Sequence, residues 1–329
     1  MICLICGESG TKADFRIEEC MYRTGFSYQY SECEICASLS RIADDIDENE
    51  LYPSQYYSLT SDPLATFSSS VAKFVARLLA RSTFSSFGIM LKLARSLAPR
   101  RDIRTLSSIL VSVRASKIRG SHIKILDVGS GSGLVPFVLS LAGNNFSMGI
   151  DPFAPKTINE TSFSLAKSEL SEVDDKFDLV MFHHSLEHTA NPNHLLKTAR
   201  GLLAPGGRMI IRVPTISSNA WSTFGTHWYQ LDAPRHRSIP SRIGLEKLFA
   251  SAGLSIETNY DDSTTTQFWI SENVKNGLSL MDPASNYSTF RGSNKNFLHK
   301  ALDAKKARKL NSNLMGDQTC YILSVVVNL

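Results

Sequence analysis

The stretch IKILDVGSGSGLV, residues 123–135, decides the fold of this 329-residue chain. Its first six residues form a short apolar run that suits a buried parallel strand. Three glycines at alternate positions follow, and a second apolar segment with helical spacing begins directly after them. Glycine permits positive φ and close approach of the backbone to a ligand, and helix N–H groups favour an anionic moiety. The stretch therefore predicts a strand, a ligand-binding turn and a helix.

The residue at position 134 distinguishes this turn from two other known types of glycine-rich turn. A P-loop would continue as Gly-Lys-Ser/Thr, and the dinucleotide pattern G-x-G-x-x-G needs a glycine at position 134, where this chain has Leu134. A second acid, Asp151, ends the next apolar run, where a carboxylate can accept hydrogen bonds from both ribose hydroxyls of a nucleoside. The alternative for Asp151 is a turn or capping residue before Pro152.

Strand and helix patterns alternate from residue 122 onward. This alternation predicts an α/β fold with a doubly wound, Rossmann-like, seven-stranded and mostly parallel sheet. The predicted strands are Ile123–Val128, Phe146–Ile150, Phe177–Phe182, Gly207–Val213, Leu254–Tyr260 and Cys320–Val327. The predicted helices between them are Leu134–Leu141, Asn193–Leu203 and Ser241–Ala252.

Charge divides the chain into three predicted parts. Residues 1–62 form an acidic, zinc-ribbon-like head with 12 Asp/Glu against 4 Lys/Arg, and residues 63–120 form a helical connector with 11 Lys/Arg against one acid. The near-neutral remainder, 121–329, is the α/β domain. Within the connector, Val71, Phe74, Val75, Leu78 and Leu79 recur at helical spacing, and Pro99 separates two helices. The basic face has three interpretations: a lid over an acidic substrate, a contact with anionic lipid, or a solvated surface.

Three further segments carry a family resemblance. Phe177–His188, Leu202–Arg208 and Trp228–His236 resemble, in order and spacing, bacterial class I S-adenosylmethionine (SAM)-dependent methyltransferases with an N-terminal zinc-binding segment. Many members of that family modify sugars or cell-surface glycans. The resemblance implies SAM as cofactor, and by position it implies the cofactor-binding residues Asp127, Gly129, Gly131, Gly133, Asp151 and His183.

The loop after the predicted strand Gly207–Val213 supplies the candidate catalytic residues. His236 is the expected base, and Tyr229 and Asp232 are the expected substrate contacts, because ligands bind at this end of an α/β sheet. The alternative is that residues 234–236 only shape the loop. Arg235 and Arg237 could receive the diphosphate of a nucleotide-sugar. We expect the pair at 187–188, Glu followed by His, to stabilise a helix start.

Two Cys-x-x-Cys pairs in the head predict a metal site. Tetrahedral Zn²⁺ takes four thiolates from two tight turns, and such a closed site is structural. The expected ligands are Cys3, Cys6, Cys33 and Cys36. The alternatives are free thiols or a redox pair. Nearby tyrosines either cover the active site or pack without a catalytic role; these are Tyr52, Tyr56 and Tyr57.

The expected function is methyl transfer from SAM to a small molecule, namely a sugar, nucleotide-sugar or glycan. One alternative is an RNA methyltransferase whose head grips RNA, although an acidic head is a poor partner for phosphates. The other alternative is a non-catalytic SAM-binding module. Composition is that of a soluble globular protein, with 43% hydrophobic and 20% charged residues. No secretory signal is apparent, so we expect a cytoplasmic protein.

Overall fold

The computed structural model describes residues 1–42, 46, 51–52, 58–60, 62–84, 101–143, 145–287 and 296–326. Its strands are β1 Ala13–Glu18, β2 Ser27–Glu32, β3 Leu39–Arg41, β4 Lys124–Val128, β5 Phe146–Ile150, β6 Ile158–Asn159, β7 Phe163–Ala166, β8 Phe177–His183, β9 Leu203–Pro214, β10 Ser238–Ile239, β11 Leu254–Asp261 and β12 Gln318–Val325. Its α-helices are α1 Pro63–Thr66, α2 Ser70–Phe84, α3 Arg101–Ala115, α4 Leu134–Ser140, α5 Pro192–Gly201, α6 Asn219–Phe224, α7 Arg242–Ser251, α8 Thr266–Lys275 and α9 Phe297–Ser312.

The main sheet has the strand order β11-β12-β9-β8-β4-β5-β7-β6. The inner strands from β9 to β7 run parallel, while β12 is antiparallel to both of its neighbours and β6 is antiparallel to β7. The described sheet thus has eight strands, not the predicted seven. Between residues 151 and 177 the chain forms β6, β7 and a 3-10 turn in place of a helix, and neither short strand has a pattern strong enough to be predicted.

Side chains of the central strands alternate between two cores. Along β8, Leu179 and Met181 face the layer built by α2, α3 and α4, whereas Val180 and Phe182 face the layer that contains α5, α7 and the cysteine cluster. Every one of these four side chains is buried. The fold is therefore doubly wound, as the sequence predicts, with both faces of the sheet covered.

The connector is part of the main core and not a separate lid. Helices α2 and α3 pack against each other and bury Ala76, Leu79 and Leu110 with the side chains of the central sheet. The predicted apolar stripe is wrong at its start, because Val71 is 74% and Phe74 59% exposed. The predicted break at Pro99 lies outside the described residues.

The head shares a sheet with the α/β domain. Strands β1, β2 and β3 form an antiparallel meander, and β10, from residues far along the chain, pairs with β3 to complete a four-stranded sheet. The backbone N–H of Arg41 also donates to the carbonyl of Arg237. The boundary predicted at residue 62 therefore separates two parts of the sequence that fold as one structure.

Helix boundaries follow the capping residues. The side chain of Asn191 caps α5, and that of Ser241 caps α7, each accepting a hydrogen bond from a backbone N–H of the first turn. Both helices therefore begin within one residue of the predicted starts. In the described part of the chain, no helix has the length and hydrophobicity needed to cross a membrane.

Candidate cofactor and acceptor site

The glycine turn lies between β4 and α4 at the carboxyl end of the parallel strands. Gly129, Gly131 and Gly133 have φ of +72°, +57° and +80°, a region that side chains rarely adopt. A Cβ on Gly129 would lie 2.4 Å from the Cβ of Ser185, and a Cβ on Gly131 would lie 2.7 Å from the carbonyl oxygen of Ser58. Conformation and space therefore both require glycine at these positions.

Asp151 ends β5 beside this turn and is fixed by the backbone. Its Oδ2 accepts a hydrogen bond from the N–H of Gly131 at 2.8 Å, and its Oδ1 accepts one from the N–H of Phe153 at 2.8 Å. Each carboxylate oxygen has two lone pairs, so both can still accept from a neighbouring diol. The structure thus brings the two predicted cofactor features together.

Asp127, at the end of β4, is a buried acid with an unused oxygen. Its side chain is only 2% exposed, and Oδ1 has no hydrogen-bond partner among the described residues. Burial, with a smaller contribution from the charge of Asp151, raises the pKa of Asp127 to about 8. A cationic group placed beside Oδ1 would stabilise the carboxylate form.

His183 occupies the last position of β8, as predicted. Both of its ring nitrogens are buried, and neither has a partner within the described part of the chain. Burial, together with the nearby charge of Arg212, holds the pKa of His183 well below its usual value, so the ring is neutral near pH 7.

Comparison with known proteins gives this site a chemical context. A family model described as a methyltransferase domain matches residues 100–259, which include the glycine turn, Asp151 and the loop to β11. The glycine turn and the parallel strands around it lie inside the matched segment.

Curated relatives match a smaller part of the chain. Ubiquinone biosynthesis O-methyltransferases of Pseudomonas syringae pv. tomato and Pseudomonas putida are each 26% identical to it over 132 residues, or 37% of this chain. That segment is 55% of each relative, so the chain spans about half the length of the curated relatives it matches.

Solved structures resemble this fold at low identity. The cyclopropane synthase MmaA2 from Mycobacterium tuberculosis is 11% identical with a TM-score of 0.43, covering 76% of this chain and 97% of that one. A putative methyltransferase solved in complex with the Haloferax volcanii activator Trm112 gives a second match. It is 16% identical with a TM-score of 0.41, covering 64% of this chain and 84% of that one. These TM-scores are too low to assign anything further to this chain.

The described residues at this end of the sheet fit SAM. SAM carries an ammonium and a sulfonium group, which would complement the unpaired oxygen of Asp127, and a ribose diol, which would complement Asp151. The three glycines, all with positive φ, set the backbone path of the turn beside Asp151. The cofactor residues predicted from the sequence thus lie around one end of β4, β5 and β8.

A buried cluster of Glu187, His188 and His236 adjoins this end of the sheet. A carboxylate oxygen of Glu187 and one ring nitrogen from each histidine lie within 4.8 Å of one another. Burial alone would raise the pKa of Glu187, but the hydrogen bond and charge of His184 and the charges of His236 and His188 outweigh it and lower the pKa to about 2. The sequence predicted only a stabilising pair here, because residue 236 is distant along the chain.

His236, the predicted base, is buried and neutral near pH 7. Burial, reinforced by the charge of His188, lowers its pKa to about 4 despite the neighbouring carboxylates. Its Nδ1 lies 2.8 Å from the carbonyl oxygen of Gln230, which can only accept, so Nδ1 carries the proton and Nε2 carries the lone pair. Nε2 lies 3.8 Å from Oε1 of Glu187.

The other predicted catalytic residues make protein contacts. Asp232 is buried, and its Oδ1 accepts hydrogen bonds from Nε and Nη2 of Arg235 at 2.9 and 2.6 Å. Nη2 of Arg235 also donates to Glu19 at 2.7 Å, so this arginine neutralises two protein carboxylates. The hydroxyl of Tyr229 lies 3.4 Å from Oγ1 of Thr266 on α8. Asp232 therefore shapes the loop that holds His236.

The head supplies a cover for the cofactor turn. Tyr52 packs against Phe153 with ring centroids 4.7 Å apart, and its hydroxyl oxygen lies 3.0 Å from Nδ1 of His188. The carbonyl of Ser58 accepts a hydrogen bond from the N–H of Ser132 in the glycine turn. Tyr52 thus bridges the ribose side and the histidine cluster, as one interpretation of the tyrosines predicted. Tyr56 and Tyr57 lie outside the described residues.

The four predicted metal ligands converge in the head. The sulfur atoms of Cys3 and Cys36 are 3.7 Å apart, and those of Cys6 and Cys33 are 3.6 Å apart. A tetrahedral Zn²⁺ with Zn–S bonds of about 2.3 Å separates its sulfurs by roughly 3.8 Å, so the spacing fits zinc. The two Cys-x-x-Cys turns close with matching hydrogen bonds, from Gly7 N–H to the Cys3 carbonyl and from Ala37 N–H to the Cys33 carbonyl.

Sequence reasoning missed Ser185 and Phe153 as parts of the site. The hydroxyl of Ser185 donates to the carbonyl of Val128 at 2.7 Å, and its Cβ faces Gly129. Phe153 holds Asp151 through its backbone N–H and Tyr52 through its ring. Serine and phenylalanine are common in cores, so neither carries a signal without the fold.

Proposed function

We propose that the protein is a SAM-dependent methyltransferase that transfers a methyl group to a hydroxyl oxygen of a small molecule. The observation that carries the proposal is the pairing of the glycine turn with Asp127 and Asp151 at adjacent strand ends. The match of residues 100–259 to a methyltransferase domain supports it. The O-methyl transfer named for the curated relatives supports oxygen as the acceptor atom.

Methyl transfer from a sulfonium is an in-line displacement in which alignment is the main requirement. Asp151 and the turn fix the nucleoside and methionine parts of SAM, and the carboxyl end of β8 leads the chain to Glu187 and His188. The acceptor would enter between the cofactor and this cluster. A hydroxyl acceptor must also lose its proton, so the site needs a group that makes its oxygen nucleophilic.

His236 would act on the acceptor oxygen through the lone pair on Nε2. The ring is neutral because its pKa is about 4, and the Gln230 carbonyl holds its tautomer. The head holds the loop in place, since the hydroxyl of Tyr30 donates to the carbonyl of His236 at 2.6 Å. We propose that the four cysteines bind one structural Zn²⁺, which maintains this support.

A sugar or glycan remains within the proposed acceptor class. Arg235, one of the two arginines expected to bind a nucleotide-sugar diphosphate, is 3% exposed and paired with Asp232 and Glu19. A diphosphate would therefore depend on Arg237, which is only partly exposed. A screen of hydroxylated phenols, sugars and nucleotide-sugars with labelled SAM would identify the acceptor.

Replacing His236 with Gln is expected to reduce kcat at least 100-fold and to change the SAM dissociation constant less than threefold. The amide cannot supply the Nε2 lone pair, while the cofactor residues lie on other elements. Turnover with labelled SAM and calorimetric SAM binding measure the two effects. His227→Gln, in the same loop, is the matched control and should keep near-full turnover. Full turnover of the His236 variant would exclude the proposed role.

SAM binding at pH 7 is expected to release up to one proton from Asp127. The pKa of about 8 in the cofactor-free protein lies above the ordinary 3.8, so the carboxyl is mostly protonated at pH 7, and a bound cation favours its ionisation. Calorimetry in phosphate and in Tris, which differ in ionisation enthalpy, should give different binding enthalpies. Equal enthalpies in the two buffers would contradict the assignment.

The raised pKa of Asp127 also makes the stability of the protein depend on pH. Between pH 4 and 8 the folded cofactor-free protein binds a proton at Asp127 that the unfolded chain has lost. The free energy of unfolding therefore falls as pH rises from about 4 to about 8. Asp127→Asn is expected to flatten this part of the pH profile and to abolish the buffer-dependent enthalpy. Chemical unfolding at pH 6 and pH 9 measures this change in the free energy of unfolding. Asp174→Asn, at an exposed site, is the control.

A further inference from the structure

Three potential metal ligands converge beside the proposed acceptor position. Glu187 and His188 belong to the 3-10 turn Leu186–His188 that follows β8, whereas His236 comes from the loop before β10. One ligand atom from each lies within 4.8 Å of the others. Glu187 and His236 are buried and His188 is partly exposed, so the cluster is enclosed on one side and accessible on another.

Both histidines are oriented as metal-binding histidines usually are. Nδ1 of His236 lies 2.8 Å from the Gln230 carbonyl oxygen, and Nδ1 of His188 lies 3.0 Å from the Arg235 carbonyl oxygen. A carbonyl oxygen only accepts, so each ring has its proton on Nδ1 and its lone pair on Nε2. The hydroxyl oxygen of Tyr52, also 3.0 Å from Nδ1 of His188, is then a second acceptor for that proton. Backbone carbonyls that hold Nδ1–H in this way fix the tautomer and increase the basicity of the coordinating nitrogen.

Glu187 has a buried oxygen that lacks a partner. Its Oε1 lies 3.2 Å from Nδ1 of His184, but Oε2 has no hydrogen-bond partner in the described part of the protein. The residue is only 1% exposed. Leaving a buried carboxylate oxygen unpaired costs free energy, so a bound cation would supply the missing interaction.

We propose that Glu187, His188 and His236 bind one divalent transition-metal ion. Two imidazoles and a carboxylate suit Mn²⁺, Fe²⁺, Co²⁺, Ni²⁺ or Zn²⁺, and three protein ligands leave coordination positions open. Bonds of about 2.0–2.2 Å to one ion place neighbouring ligand atoms roughly 3 Å apart. The 3.8 Å between Nε2 of His236 and Oε1 of Glu187 therefore needs only a small side-chain adjustment.

With the ion bound, Nε2 of His236 coordinates the metal and cannot also take the acceptor's proton, so His236 would act on the acceptor through the ion; this part rests on the proposed function. A hydroxyl oxygen bound at an open position becomes more acidic and releases its proton to solvent water. Its lone pair then forms the O–C bond to the methyl carbon of SAM. The C–S bond breaks, its electron pair remains on sulfur, and S-adenosylhomocysteine leaves. The acceptor class is therefore a small molecule with a metal-binding hydroxyl.

Binding of Mn²⁺ alone to the full chain tests the site without turnover. Mn²⁺ prefers nitrogen and oxygen ligands and competes poorly for four thiolates, so the cysteine cluster does not interfere. Titration followed by electron paramagnetic resonance should show one Mn²⁺ bound per chain. Glu187→Gln should weaken binding at least tenfold, and the exposed control Glu169→Gln should leave it unchanged. Equal affinity in wild type and Glu187→Gln would overturn the proposal.

A second measurement can be made on the wild-type protein, so it gives a result even if the Glu187 variant does not fold. Electron spin echo modulation of bound Mn²⁺ should show coupling to two imidazole nitrogens, and a reduction to one in His188→Gln would confirm that ligand. Bound Mn²⁺ without nitrogen coupling, or no bound Mn²⁺ at millimolar concentration, would overturn the site.

Calorimetry with SAM separates this inference from the proposed function. Nitrogen-coupled Mn²⁺ in a chain that does not bind SAM would leave the metal site standing and remove the methyltransferase proposal. SAM binding without Mn²⁺ binding would leave the methyltransferase proposal standing and remove the metal site. The two outcomes are separable because the cofactor residues belong to the glycine turn and β5, while the metal ligands follow β8 and precede β10.

Discussion

Asp151→Ala is expected to weaken SAM binding by a factor of about 100 or more. Hydrogen bonds from hydroxyls to a charged carboxylate contribute about 1.5–3 kcal/mol each, and the ribose makes two of them. The same substitution removes the acceptor for the Gly131 N–H, which loosens the turn that holds the methionine part. Isothermal titration calorimetry with SAM and with S-adenosylhomocysteine measures the loss.

Two further variants make this result specific to the carboxylate. Asp151→Asn keeps one oxygen acceptor but removes the charge, so its affinity should fall between those of wild type and Asp151→Ala. Asp174→Ala removes an exposed acid elsewhere on the domain and should bind SAM normally. If Asp151→Ala retained affinity within twofold of wild type, the ribose would have to bind elsewhere.

Cys33→Ser is expected to remove the zinc and lower the Tm by about 10 °C or more. Structural zinc sites contribute a large part of the folding free energy of small modules, and the head has few apolar side chains to replace it. The head supports the loop that contains His236 through the β3–β10 pairing and the hydrogen bond from Tyr30 to the His236 carbonyl. Turnover should therefore fall more than SAM affinity does.

Metal analysis and thermal unfolding of the purified chain test the zinc prediction. Wild type should contain about one zinc that a strong chelator removes slowly. Cys20→Ala is the matched control, because Cys20 is a buried head cysteine outside the four-sulfur cluster and its loss should leave the zinc content unchanged. A full complement of zinc in Cys33→Ser would show that these sulfurs are not the ligands.

Local chemistry allowed much of the cofactor site to be predicted from the sequence. The alternate glycines at 129–133 have positive φ, a conformation that glycine alone adopts without strain, so the turn is encoded residue by residue. Parallel strands end at the same edge of a sheet, so Asp127, Asp151 and His183 come together once β4, β5 and β8 are recognised. The two Cys-x-x-Cys pairs are likewise complete within 36 residues.

Only the tertiary structure decided which residues form the acceptor site. Glu187 and His236 are 49 positions apart, and they meet because β10 joins the head's sheet and returns the loop to the end of β8. Arg235 has the same charge in the sequence whether it binds a diphosphate or Asp232 and Glu19, and burial determined the outcome. The glycine turn could be predicted because its constraints are local backbone ones, whereas the roles of Glu187, Arg235 and His236 depend on partners that folding alone brings within contact.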